Sequence, residues 1–222
     1  MTKKDNIHKE SPNHVEAMSA AATDLLESMS REMRMKASYP YMDGERLFWY
    51  YPPLNRHGVP LRDMNLDQRR YAMNLIASGL DKEAYDKVKK IIGLETVLAS
   101  LEASEGLNSF IRDPELYYLT IFGDPTGIEP WGWRAEGHHI SLNFSLWNGD
   151  VMAVTPLFFG SNPARVPNGP NKGMRVLSRR EDLALQLGST LDSYQKSKAV
   201  IYEEAPYDIV TYNSTRASLP LE

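Results

Sequence analysis

The dipeptide Asn148-Gly149, flanked on both sides by alternating residues, constrains the fold more than any other feature of this chain. Both central residues of a type I′ turn need positive φ, which asparagine and glycine tolerate, so the pair predicts a tight β-hairpin. Ahead of it, the run from His138 to Trp147 alternates as a half-buried strand should. His138, Ile140, Leu142, Phe144 and Leu146 fall on one face; His139, Ser141, Asn143, Ser145 and Trp147 fall on the other. Beyond the turn, Asp150 to Thr155 is expected to return along Ser141 to Leu146. Pro156 should end the pairing, because it brings no N–H to a ladder.

The same region concentrates chemistry. Two tryptophans, an arginine, a glutamate and an adjacent histidine pair lie within the fourteen residues 131–144. On the alternation, His138 sits among apolar residues and reads as a core histidine with a satisfied ring N–H. His139 shares its face with three small hydrogen-bonding residues and reads as the solvent- or ligand-facing imidazole. The candidate catalytic residues are therefore His139, Glu136 and Arg134, with Trp131, Trp133 and Asn143 shaping a pocket for a small molecule. A divalent transition metal on His139 and His138 is the cofactor to test. Zinc or iron needs three or more protein ligands from convergent elements, however, and one strand does not supply them. Of the other histidines, His8, His14 and His57, none has a partner at a metal-ligand spacing. The plainer alternative is that His139 only hydrogen-bonds across a sheet.

At 222 residues the chain is long enough for one sizeable core, and a single α+β domain over residues 1–222 is expected. A formal charge of −4 gives no global attraction to nucleic acid or to an anionic membrane. Cysteine is absent, which excludes disulfides, thiolate catalysis and cysteine-held metal. Neither a signal-type stretch nor a bilayer-length apolar run occurs, so a cytoplasmic protein is expected.

Before the hairpin, Ser11-Pro12 reads as a helix start. Val15, Met18, Ala22, Leu25, Leu26, Met29 and Met33 then recur at the spacing of one long amphipathic helix. Leu47 to Tyr51 reads as a short aromatic strand stopped by Pro52-Pro53. Asn65 and Gln68 predict a capping pair for a helix closed by Gly79, and a further helix runs from about Lys82 toward Ser104, interrupted at Gly93. A strand is expected near Leu116 to Phe122. Ser178 with Glu181 reads as a capping box for a last helix to about Gln195, and Tyr207 to Tyr212 as a terminal strand. The predicted architecture is helices flanking a small antiparallel sheet built on a hairpin over residues 131–155.

From Val151 to Arg180 no acidic residue occurs, whereas Arg165, Lys172, Arg175, Arg179 and Arg180 are basic. The Gly/Pro/Asn-rich stretch 160–173 within it is longer than most connections, and loops of that kind often carry binding residues. Arg165 and Lys172 are the candidates for holding an anionic group beside the histidine face. The glycine and lysine spacing here is not that of a phosphate-binding P-loop.

Several motifs together carry a resemblance. Tyr50-Tyr-Pro-Pro, Leu61-Arg-Asp-Met, Asp67-Gln-Arg-Arg70, the run Arg112 to Pro125, Pro130-Trp-Gly-Trp-Arg134, Gly137-His-His139 and Pro156 to Pro163 are similar to a widespread uncharacterised family, the domain of unknown function numbered three thousand five hundred. The resemblance spans nearly the whole chain after the first helix and implies no activity. It does imply a longer architecture, in which a second half carries a His-x-His segment followed by Trp-Arg-Asp. On that reading the chain is the N-terminal part of the architecture, a fragment or a split protein, and its partner is the missing C-terminal half or another chain. Two functions stay open. One is part of a metal- or histidine-dependent enzyme acting on a small, anionic molecule. The other is a non-catalytic binding or assembly module with a structural histidine pair.

Overall fold

The computed structural model describes residues 14–107 and 109–214. Ser11-Pro12 lies outside them. The expected single long helix is two: α1 (His14–Ser28) and α2 (Arg31–Ala37). The break falls at Ser30, which turns extended and accepts a hydrogen bond on its side chain from the Met33 N–H. A serine that satisfies an orphan donor at a new helix start outcompetes one more turn of helix. A two-residue strand, β1 (Ser38–Tyr39), and a single 3-10 turn (Gly44–Leu47) follow, the turn capped by the Asp43 carboxylate on the Glu45 N–H.

Residues 48–57 then run as an extended strap outside the sheet ladder. Leu47 to Tyr51 is therefore not the predicted aromatic strand: its backbone is bonded largely by side chains, as where Tyr50 N–H donates to Glu136 Oε1 at 2.8 Å. After β2 (Val59–Pro60), helix α3 (Leu66–Ser78) begins at the predicted capping box, with Asn65 and Gln68 each bonding the other's backbone N–H, and ends at Gly79. Helix α4 (Lys82–Ser104) passes through Gly93 without interruption. A lone glycine costs about 1 kcal/mol relative to alanine, which a long helix with the buried stripe Val88, Ile91, Leu94 and Leu98 readily absorbs.

The sheet holds β3 (Tyr118–Phe122), β4 (Trp131–Gly137), β5 (Ile140–Trp147), β6 (Asp150–Ala153) and β7 (Leu157–Phe159) as well as β1 and β2. The fold is thus α+β, but the sheet is larger than the predicted hairpin and is mixed, because β1 pairs with β3 in parallel. Strands β3, β4 and β5 form its antiparallel centre. The Asn148-Gly149 turn forms as predicted, with φ of 52° and 79°. The returning strand is split. Strand β6 reaches only Ser145 to Trp147, with a bulge between Ser145 and Leu146, and β7 pairs with Ile140 to Leu142 beyond the break at Pro156.

The two faces of the central strands differ chemically. Ile121, Trp133 and Phe144 lie in one cross-strand row, Leu119, Ala135 and Leu142 in the next, and α1, α3 and α4 pack on them to make the core. The approach is close enough that a Cβ on Gly79 would stand 2.7 Å from the Trp133 ring. On the opposite face, Thr120, Arg134 and Asn143 form one row and Tyr118, Glu136 and Ser141 the next. This polar face lies beneath the strap.

After β7 the chain continues to α5 (Ser178–Thr190) and α6 (Ser193–Ala199). The predicted Ser178/Glu181 box does not form, because Leu177 occupies the cap position and Glu181 instead pairs with Arg175 at 2.6 Å. The capping box in this region is Asp192 with Gln195, at the start of α6. Tyr207 to Tyr212 makes turns rather than a strand. It folds back on Tyr51, whose hydroxyl donates to Asp208 at 2.5 Å and whose ring meets Tyr212 edge-on. No helix among the described residues is long and apolar enough to cross a membrane.

Candidate functional site

The histidine pair is not the start of a strand. His138 and His139 form the two-residue turn joining β4 to β5, closed by the Gly137–Ile140 pair, and His139 has a φ of 97°. The alternation therefore holds only from Ile140 onward. A turn of this sequence is pinned from outside: His139 N–H donates to Tyr51 O at 2.9 Å, Gly160 N–H donates to His139 O at 2.7 Å, and the Tyr117 hydroxyl donates to His138 O at 2.8 Å.

That turn points His138 at helix α4. Its Nδ1 meets Glu95 Oε1 in a short hydrogen bond, and both side chains are almost fully buried. Arg112 adds a longer contact from Nη1 to the same Nδ1 at 3.4 Å, while its Nε and Nη2 clamp both oxygens of Glu102 at 2.8 and 2.7 Å. Glu95 and Glu102 stand seven residues apart, on one face of α4, so the helix supplies both carboxylates of the cluster. A carboxylate on Nδ1 makes that nitrogen the donor and fixes the tautomer, leaving Nε2 as the lone-pair nitrogen. Nε2 has no partner among the described residues. His138 lines a cavity of about 330 Å³ with Leu54, Glu95, Ser109, Phe110 and Ile111.

His139 has a different environment. Neither ring nitrogen finds a hydrogen-bond partner, and a Cβ on Gly160 would lie 2.5 Å from its Nδ1. Burial above all, then the neighbouring His138 and Arg112, lower its pKa to about 3, so the ring is neutral at ordinary pH. The two imidazoles lie 4.0 Å apart between centroids. His138 Nδ1 is already held by Glu95, and no group of three or more metal-ligating side chains gathers around the pair among the described residues.

Arg134 and Glu136 come together on the polar face. Arg134 donates to the carbonyls of Glu45 and Phe48 and to Glu45 Oε1 at 2.5 Å. Glu136 Oε1 accepts from Tyr50 N–H and from the Ser141 hydroxyl, both at 2.8 Å. Burial raises the Glu136 pKa against the pull of Arg134, the Tyr50 N–H and Arg56. Asn143 is spent on structure, since its Nδ2 donates to Ser141 Oγ at 3.0 Å and to Pro156 O at 2.8 Å, bridging the gap between β6 and β7. Trp131 and Trp133 alternate with Arg134 and Glu136 and therefore lie on the helical face. Trp133 is wholly buried, stacks on Phe144 at 4.4 Å and donates its indole N–H to Met18 Sδ. Neither tryptophan lines the pocket once assigned to it.

The loop 160–173 begins beside His139 but does not turn its charges inward. Val166 plugs into the core and bonds Met174 and Gly173 through its backbone, while Arg165 and Lys172 are exposed and make no ion pair among the described residues. Neither lines the cavity at His138. Sequence reasoning missed Glu95, Arg112, Arg56 and Glu45. Only Glu95 left a signal: an acid on the apolar stripe of α4, one residue past Leu94, is unexpected unless something pairs it.

No curated protein and no solved structure matches the chain. A family model described as a protein of unknown function (DUF3500) matches residues 11–222. Covering nearly all of the sequence, that match places the chain in the DUF3500 family.

Proposed function

We propose that the chain carries a histidine-dependent proton-transfer site for a small molecule, with His138 as the base and Glu95 as the group that orients it. The observation that carries this reading is the Glu95–His138 hydrogen bond on the wall of a cavity of about 330 Å³. A buried carboxylate on one ring nitrogen holds the imidazole in the tautomer whose other nitrogen takes a proton, and it stabilises the imidazolium formed. Arg112, buried beside the pair, is held by Glu102 through Nε and Nη2 and keeps the Glu95–His138 pair in place from behind. The role first given to His139 passes to its neighbour, because His139 is enclosed and lines no part of this cavity.

A generic reporter of an activated imidazole tests this without knowledge of the substrate. The full chain should hydrolyse p-nitrophenyl acetate faster than free imidazole does. His138→Gln should abolish the excess rate, Glu95→Gln should lower it about a hundredfold, in the range one positioned acid–base group contributes, and His139→Gln should leave it. A rate that survives His138→Gln overturns the proposal.

The alternative, a non-catalytic assembly module, is favoured by a separate observation. No residue of α5 or α6 is buried, and Leu183, Leu185 and Leu187 are all more than half exposed. A missing second half of the family architecture, or another chain, is the partner such a surface suits.

A further inference from the structure

On the polar face of the sheet, beneath the strap, lies a second cleft of about 650 Å³, which shares Leu54, Asn55 and Arg56 with the wall of the His138 cavity but does not include His138 or Glu95. Glu136, Arg56, Asn55, His57, Phe48 and Tyr50 line it. Glu136 and Arg56 are each 2% exposed in their side chains and lie 3.4 Å apart, Oε2 to Nε, yet neither atom makes a hydrogen bond. Most of the rest of both groups is engaged. Arg56 gives its Nη atoms to the carbonyls of Tyr50, Pro52 and Leu54, and Glu136 Oε1 serves Tyr50 and Ser141. The two atoms therefore meet as an ion pair, with Arg134 Nε also 3.7 Å from Oε2, but the acceptor and the charged donor each lack a hydrogen bond, which is costly in a buried place unless a third group supplies it.

The chemistry of the pair selects the ligand. A carboxylate or phosphate would satisfy Nε–H but face the Glu136 oxygen, and an ammonium would do the reverse. A hydroxyl donates its hydrogen to Oε2 and accepts from Nε–H, so one group satisfies both. The surroundings extend that preference. Asn55 Nδ2 has no partner among the described residues, while its Oδ1 accepts from the Tyr118 hydroxyl at 3.4 Å. His57 is exposed and bonds Glu45 through Nδ1 only, leaving Nε2 for a second hydroxyl. Phe48, half exposed, and the Tyr50 ring offer apolar surface for the C–H face of a ring. We infer that this cleft is a binding site for a small polyhydroxylated ring, a monosaccharide or cyclitol, anchored by one hydroxyl between Glu136 and Arg56. The exposed Leu54-Asn55 tip of the strap must lift for that hydroxyl to enter, since both anchor atoms are closed to solvent when it is down.

The test is binding of methyl β-glucoside and of myo-inositol to the full chain, read by calorimetry and by saturation-transfer NMR, with sodium acetate and tetramethylammonium as controls. The expected result is saturable binding of at least one polyol and of neither control. Phe48→Ala removes a side chain that holds no buried partner, and Asn55→Ala gives up only the long contact with the Tyr118 hydroxyl at 3.4 Å, so both variants should fold, and each should weaken binding about tenfold, the size of one lost hydrogen bond or apolar contact. Glu136→Gln should abolish binding, with thermal unfolding measured alongside it. Polyol binding that Asn55→Ala and Phe48→Ala both leave unchanged would place the site elsewhere and overturn the inference. So would binding of acetate or tetramethylammonium in preference to the polyols, or no binding at all, in which case a water molecule is all that joins Glu136 and Arg56.

Discussion

At the scale of single residues, the two histidines of the β4–β5 turn show how neighbours in sequence acquire opposite chemistry. His138 reaches a carboxylate and keeps one nitrogen for work, whereas His139 is enclosed with two unbonded nitrogens and a backbone at φ 97°. The pH dependence of stability should report the second of these. An imidazole whose folded pKa lies below its unfolded value destabilises the fold as pH falls, because the unfolded chain takes up a proton that the folded chain refuses. For His139 the loss begins below the ordinary value of 6.5 and runs to about 3, with a slope of up to about 1.4 kcal/mol per pH unit. Glu136 acts in the other direction: its folded pKa is raised, so its contribution declines as pH rises through the ordinary carboxylate range. His139→Asn keeps a residue that tolerates positive φ and removes the ring. Denaturant unfolding between pH 7 and pH 4 should then show a shallower decline than in the parent chain, and parallel curves would mean that His139 is protonated in the fold.

At the scale of elements, the hairpin depends on a backbone contact that no periodicity reveals. Gly137, the last residue of β4, lies against the Tyr117 ring so closely that a methyl group there would overlap it. Tyr117 is buried and holds the His138 carbonyl, so it cannot swing aside freely. Gly137→Ala should cost about 1–3 kcal/mol by overpacking, measured by chemical denaturation, and it should also lower the His138-dependent rate, because the turn that aims the imidazole moves with Tyr117. An unchanged rate in a folded Gly137→Ala protein would separate the turn from the chemistry. Elsewhere, local signals were reliable where a side chain bonds its own helix, as at Asn65 and Gln68. They failed where a cap inside an apolar period breaks the helix, as at Ser30, and where an expected box residue is drawn to another partner, as Glu181 is to Arg175.

At the scale of the whole molecule, the apolar surface is unevenly distributed. The face of the sheet under α1, α3 and α4 is well covered, while α5 and α6 bury nothing and Trp147, Val151 and Met152 lie exposed near the β6 edge. Exposed apolar side chains in this number favour association. The chain should self-associate in a concentration-dependent way, seen by light scattering after size-exclusion chromatography. Leu183→Lys with Leu187→Lys should shift it toward the monomer mass, and a parent chain that stays monomeric at all concentrations tested would refute the expectation.

Patterns that depend on a few adjacent residues were legible without a structure: the α+β class, the Asn148-Gly149 turn, the capped start of α3, and the membership of a family. Each follows from backbone geometry acting over one or two turns of chain. The working arrangement of the site was not legible. Glu95 and His138 are 43 positions apart and Tyr50 and Glu136 are 86 apart, and no period in the sequence joins them. Only the packing of α4 against the β4–β5 turn, and of the strap over the polar face, decides which carboxylate meets which imidazole or guanidinium. The same packing turned the tryptophans into core and left Arg165 and Lys172 in solvent, because a side chain's role is set by what the tertiary fold places opposite it.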